Sequence, residues 1–137
     1  MHTDGVMSYL VDGASCPVCG AMHNDVSKFS LVTGNQNKVI EARRITGLDI
    51  EHVALDIREV QERTCAGVAL AKAFEAYDKL RRPVIVEDSG LELVALGGFP
   101  GPFIKHWEQL GGIASICRTL DGIGERAAFA VCALAIT

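Results

Sequence analysis

From Phe29 to the end of the chain, short unbroken apolar runs alternate with stretches whose apolar residues recur at helical spacing. That alternation predicts an α/β domain: a sheet built from the runs and helices laid over it. Phe29–Thr33 predicts a buried strand, which Gly34 and Asn35 interrupt. Asn35 is placed to cap a helix over 36–46, with Val39, Ile40, Ala42 and Ile45 as its apolar positions and Gly47 as its stop. Residues 50–57 alternate loosely and predict a second strand. A long helix follows over 67–80, with Leu70, Ala73, Phe74 and Tyr77 on one face. Pro83–Val86 is apolar on both faces, as a central strand requires. Residues 91–96 read as extended, and Gly97–Pro102 as a rigid loop. Helices over 103–110 and 113–120 precede a last strand over 126–136. This last strand is the most apolar segment of the chain and calls for a neighbour, either within the sheet or on another chain.

Met1–Lys28 has a different character, polar and irregular around Cys16-Pro17-Val18-Cys19-Gly20. Two parts are therefore expected, a segment over 1–28 and a domain over 29–137. With 137 residues, the chain has room for one such core. Hydrophobic residues are 49% and charged residues 22%, a globular balance. The net charge of -4 argues against a duplex nucleic acid held by a basic face, but leaves room for a small anion on a local cluster of donors. No apolar run approaches the roughly 20 residues that span a bilayer, and the first residues lack the layout of a secretion signal. Five cysteines, three of them single in apolar surroundings, suit a reducing cytoplasmic setting.

Four segments carry candidate chemistry. In Thr33-Gly34-Asn35-Gln36-Asn37-Lys38, a strand turns through glycine into a helix whose first turn holds a lysine. Free N–H groups and the positive end of the helix dipole suit a phosphate there; a capped helix with a solvated lysine is the plainer alternative. Glu87-Asp88-Ser89-Gly90 puts two acids directly after an apolar strand, where open α/β sheets bind ligands and hard cations find oxygen. The alternative is an ordinary turn. Gly97–Lys105 packs three glycines and two prolines into six residues before Lys105, a backbone path that favours a close approach to a ligand or to another backbone. Asp56–Glu62 offers Glu59 as a partner for Asp88 at a metal, or is only a charged loop. His52 and His106 are read without a metal role. Arg43-Arg44 and Arg81-Arg82 are read as solvated helix positions.

Taken in order, Thr33-Gly34-Asn35 with Lys38, Glu87-Asp88-Ser89-Gly90-Leu91, the run Ala95–Lys105 and the terminal Ala128-Phe129 strand resemble the inosine triphosphate pyrophosphatase family, also called XTP/dITP pyrophosphatases. The resemblance covers Phe29–Thr137. It implies a central mixed sheet flanked by helices, lacking the C-terminal part of the family fold. It also implies a Mg²⁺-dependent homodimer that hydrolyses ITP, dITP and XTP to the monophosphate and pyrophosphate. By the same resemblance, Thr33, Gly34, Asn35, Lys38, Ser89 and Gly90 would hold the substrate, Glu59 and Asp88 the metal, and Asp88 and Lys105 would serve catalysis. Two further readings stand beside it: a nucleotide-binding or interaction module without catalysis, and a fragment of a longer enzyme. In residues 1–28, Cys16 and Cys19 resemble half of a zinc knuckle, with His23 as a candidate third ligand; a tight turn with free thiols and a redox pair are the alternatives.

Overall fold

The computed structural model describes residues 29–137. The chain runs β1 (Ser30–Val32), α1 (Gln36–Thr46), β2 (Glu51–Val53), α2 (Cys65–Leu80), β3 (Val84–Leu93), a single 3-10 turn at Val94–Leu96, β4 (Pro100–Gly101), α3 (Ile104–Thr119) and β5 (Ala128–Ile136). The five strands form one mixed sheet. β1 runs parallel to β2 and to β3, while β4 and β5 run antiparallel to β3.

β3 organises the sheet. β5 pairs with it from Ile85 to Leu93 and so occupies one whole edge. The opposite edge is shared: β1 takes residues 84–86 and β4 takes residues 91–92. Between them, among the described residues, no strand lies along this edge at Glu87–Gly90, which opens a notch in the sheet. The acids therefore sit in the middle of a ten-residue strand and not in a turn after a four-residue one. A turn signal read from Asp-Ser-Gly is overridden here by pairing with β5 on the far edge.

Side chains alternate across the sheet. Val84 and Val86 face α2 and form the main core with Val32, Ala69, Ala73, Ala76 and Ala135. Leu31 and Ile85 point the other way, to Val39 of α1. Farther along the same face, Leu91 and Leu93 meet Ile104, Ile116 and Leu120 of α3. α1 and α3 thus stand on one face of β3, apart from each other, and α2 on the other.

Several expected boundaries move. β2 spans three residues instead of eight, and α2 begins at Cys65, capped by Thr64, whose hydroxyl accepts from Gly67 N–H at 3.1 Å. The two helices expected over 103–120 meet at Gly112, whose φ of 69° and ψ of 166° kink α3. The apolar face of α2 is also rotated from expectation. Leu70 and Phe74 are exposed, and the buried stripe is Cys65, Val68, Ala69, Ala73 and Ala76. Small side chains let the helix sit close to the sheet, which leaves no space for the larger ones. Arg82 is not merely solvated: it grips Glu51 through two 2.8 Å bonds, and Glu51 accepts from the buried Ser30 hydroxyl at 2.9 Å. Arg43 likewise turns back to the carbonyl of Ile50, to which its Nη2 and Nε donate at 2.8 and 3.2 Å.

Candidate active site

The notch opens into a cleft of about 800 Å³. Its walls carry Thr33, Gly34, Asn35, Lys38, Glu59, Asp88, Ser89 and Lys105 together. Four loops or strand segments far apart in sequence thus converge on one space; Gly90, expected beside them, does not line it and packs instead against Gly101 and Cys65.

The turn after β1 is held by its own side chains. Thr33 Oγ1 accepts from Asn35 N–H at 3.1 Å, and Asn35 Oδ1 accepts from Asn37 N–H at 3.0 Å. The first turn of α1 is thereby fixed, and Lys38 leaves it toward β3. The ammonium pairs with Glu87 and lies 3.4 Å from Ser89 Oγ. His52 of β2 supports the same turn through a 2.8 Å contact between Nε2 and the carbonyl oxygen of Thr33.

On the opposite face of β3, Asp88 meets α2. Lys72 donates to Asp88 Oδ1 at 2.9 Å and stands 4.0 Å from Glu59. Glu59 in turn lies 3.7 Å from Lys105 and 4.0 Å from His106, both in the first turn of α3. The resulting row alternates in sign: Lys38 with Glu87 on one side, then Lys72 between Asp88 and Glu59, then Lys105. Because the notch lacks a strand, cations from both faces of the sheet reach the same opening.

Lys72 escapes a reading of the sequence. Its signal was a single lysine at position 72 within the stripe 65, 68, 69, 73 and 76, a polar residue on a buried helix face. A helix face centred on Leu70 and Phe74 does not include Lys72, whereas the buried stripe of small residues does. His106 and His52 are also nearer the site than expected, one at the mouth of the cleft and one behind the turn after β1.

The oxygen donors suit a magnesium ion. Asp88 Oδ2 is buried and accepts no hydrogen bond, while the Glu59 side chain is half-exposed across the cleft. Mg²⁺ keeps several waters and takes one or two protein carboxylates together with substrate phosphates, so two acids suffice. Among the described residues, no group of three or more His, Cys, Asp or Glu side chains is arranged for a metal held by protein alone. The candidate zinc ligands Cys16, Cys19 and His23 lie outside the described residues.

Two thiols flank the acids without the character of nucleophiles. Burial, and next the Asp88 carboxylate, push the Cys65 thiol up to about 11. Partial desolvation on the sheet, and next Glu87, push the Cys132 thiol up as well, to about 11, although that residue is exposed. Both stay protonated at neutral pH and are weak nucleophiles.

Comparison with known proteins matches residues 29–137 to the Ham1 family. Inosine triphosphate pyrophosphatase 2 of Trypanosoma cruzi is 38% identical over 107 residues, covering 77% of this chain and 55% of that protein. A dITP/XTP pyrophosphatase of Saccharolobus solfataricus is 35% identical over 113 residues, covering 80% and 59%. Among solved structures, a nucleoside-triphosphatase, also named dITP/XTP pyrophosphatase, of Mycobacterium abscessus superposes with a TM-score of 0.64 at 28% identity. That match covers 79% of this chain and 64% of the other. The chain spans a little over half the length of the curated relatives it matches. With the family model matched over residues 29–137, most of its length, the chain belongs to the Ham1 family.

Proposed function

We propose that the protein hydrolyses non-standard purine nucleoside triphosphates (ITP, dITP and XTP) to the monophosphate and pyrophosphate. The observation that carries this reading is the convergence of Lys38, Lys72 and Lys105 with Glu59, Glu87 and Asp88 on one cleft. The names of the relatives support the same substrate class.

The chemistry follows from what each side chain can do. A triphosphate carries several negative charges. Lys38, beside the first turn of α1, and Lys105, on the far wall, neutralise it from two sides and hold it across the notch. Exchange of partners makes this possible: as phosphate oxygens take the lysines, Glu87 and Glu59 are released from their ion pairs. Thr33, Asn35 and the N–H groups around Gly34 supply the neutral part of the grip. Asp88 is fixed by Lys72 through Oδ1, which leaves Oδ2 as the open acceptor, able to take the proton of a water that attacks the α-phosphorus. Glu59 and Asp88 are the residues that would hold Mg²⁺, which when bound supplies charge neutralisation for the polyphosphate and its pyrophosphate leaving group. The reading retains a homodimer, a cytoplasmic setting and residues 1–28 as a segment apart from the domain. Among the described residues, no helix is long and apolar enough to cross a membrane.

The test is release of pyrophosphate from ITP, XTP, dUTP and ATP by the purified protein with Mg²⁺. Release from ITP and XTP that disappears in Asp88→Asn supports the proposal. Binding without release in the unaltered protein overturns it in favour of a nucleotide-binding module.

A further inference from the structure

β5 has β3 on one side and, among the described residues, no strand on the other. Thr137 N–H donates to the carbonyl of Val84, and the carbonyl of Ala127 accepts from Val94 N–H, so the odd-numbered positions turn their main chain toward β3. The N–H and C=O groups of Ala128, Ala130, Cys132, Leu134 and Ile136 therefore face the open edge. Edge strands commonly carry a charge, a proline or a bulge that keeps other strands away. Residues 128–136 hold neither charge nor proline, and they pair with β3 without a break in register. Phe129, Leu134 and Ile136 are each more than half exposed.

The helix above this edge carries a matching surface. α2 lies across both β3 and β5. One flank of it faces the segment after β2: Glu75 Oε1 accepts from Arg58 N–H at 3.4 Å, and Lys79 Nζ donates to the carbonyl of Asp56 at 2.7 Å. The other flank, on the β5 side, carries Ala66, Leu70, Ala73 and Tyr77 at helical spacing, with Phe74 beside Leu70. Leu70 and Phe74 are more than half exposed. The apolar face that the sequence sets apart thus looks past the edge of the sheet. Strand edge and helix flank together make one uncharged, apolar side of the molecule.

We infer that a second copy of the chain covers this side: β5 runs antiparallel to its twin about a two-fold axis at Cys132, which joins the two sheets into one, and α2 packs against its twin above them. The inference rests on the homodimer of the reading above and gives it a surface. Self-complementarity selects this occupant. In the register that overlaps all nine residues, each large side chain meets a small one: Phe129 meets Ala135, Leu134 meets Ala130, Ile136 meets Ala128 and Val131 meets Ala133. An isologous contact needs that match, because each half repeats the other. Spacing agrees. With strands about 4.8 Å apart, a helix seated between β3 and β5 comes to about 10 Å from its twin, the separation of packed helices. So does area. A side about 30 Å long and about 20 Å deep offers on the order of 600 Å² per copy, enough to enter the range of stable interfaces. The chain has a net charge of -4, and this side keeps like charges out of the contact.

Sedimentation of the full chain tests this, and the unaltered protein is expected to be a dimer. Ala130→Glu and Leu134→Lys each set a charge against an apolar partner twice per dimer, and each is expected to weaken dimerisation by about 100-fold. Mixed in equal amounts, the two variants are expected to pair again, since residue 130 of one copy faces residue 134 of the other and the new charges are opposite. A dimer that both substitutions leave intact overturns this interface alone and leaves a homodimer formed elsewhere. Variants that turn monomeric and do not recombine overturn it too, since the substitutions then act through the fold. An unaltered protein that is monomeric at every concentration overturns the interface and the homodimer together, while pyrophosphate release still judges the hydrolysis by itself.

Discussion

Gly90 shows how tightly one position can be specified. A Cβ there would come within 2.6 Å of both Cys65 Sγ and the backbone oxygen of Gly101. The second is main chain and cannot swing away, so Gly90→Ala must part β3 from β4. We expect a loss of about 1–3 kcal/mol in denaturant unfolding, the usual cost of overpacking. Cys65 itself gives a pH dependence. Its thiol is pushed from 9.0 to about 11 in the fold, so the folded state keeps a proton that the unfolded chain gives up. The associated stability is full below pH ~9 and declines as pH rises toward ~11. Cys65→Ala should flatten that decline in thermal melts between these values. Glu51 acts at the other end of the scale. The hydrogen bond from Arg82, then that from Ser30, hold its carboxyl below the usual range. Its contribution is present above the ordinary glutamate range and is lost as pH falls through the lowered value, so Glu51→Gln should make acid unfolding less steep.

Among the elements, α2 and β3 explain what the sequence could and could not reveal. Thr33-Gly34-Asn35 announced both a strand end and a helix cap, because each residue acts on its own neighbours; Thr33 and Asn35 bond within two residues of themselves. The position of Glu87 and Asp88 was harder. Their local composition favours a turn, and only the distant β5 makes it a strand. The buried face of α2 differs from the expected one for the same kind of reason. Leu70 and Phe74 are the more hydrophobic residues, but the sheet accepts Ala69, Ala73 and Ala76, and Lys72 is turned inward with them. Lys72→Met removes the one cation between Asp88 and Glu59 and should reduce kcat/KM for ITP by about 100-fold, as loss of a placed charge does elsewhere. Lys72→Arg should recover part of it. A circular-dichroism melt unchanged in Lys72→Met would place the loss in the site and not in the fold.

At the scale of the whole molecule, charge and location separate. The chain is net negative by four, yet three lysines meet in one cleft. Binding of a polyanion must then be local, against an unfavourable background field, and salt should weaken it as it screens the lysines. Raising salt from ~0.05 to ~0.5 M should reduce tripolyphosphate affinity by about ten-fold or more in titration. The motifs that named the family, Gly97–Lys105 above all, were legible because they are contiguous. The opening they serve was not, since it arises from the absence of a strand along four residues of β3, and an absence leaves no mark in a local pattern.

That gap has a further meaning for assembly. Along Glu87–Gly90, β3 has a companion on one edge only, and that companion is β5, the latest strand of the described fold to be synthesised. A ribosome that has released the chain through α3 has therefore exposed every anion-binding residue, Lys105 being the last, but not the backing that aligns them. Competence for ligand arrives late and all at once, when residues 128–136 emerge and clasp the far side.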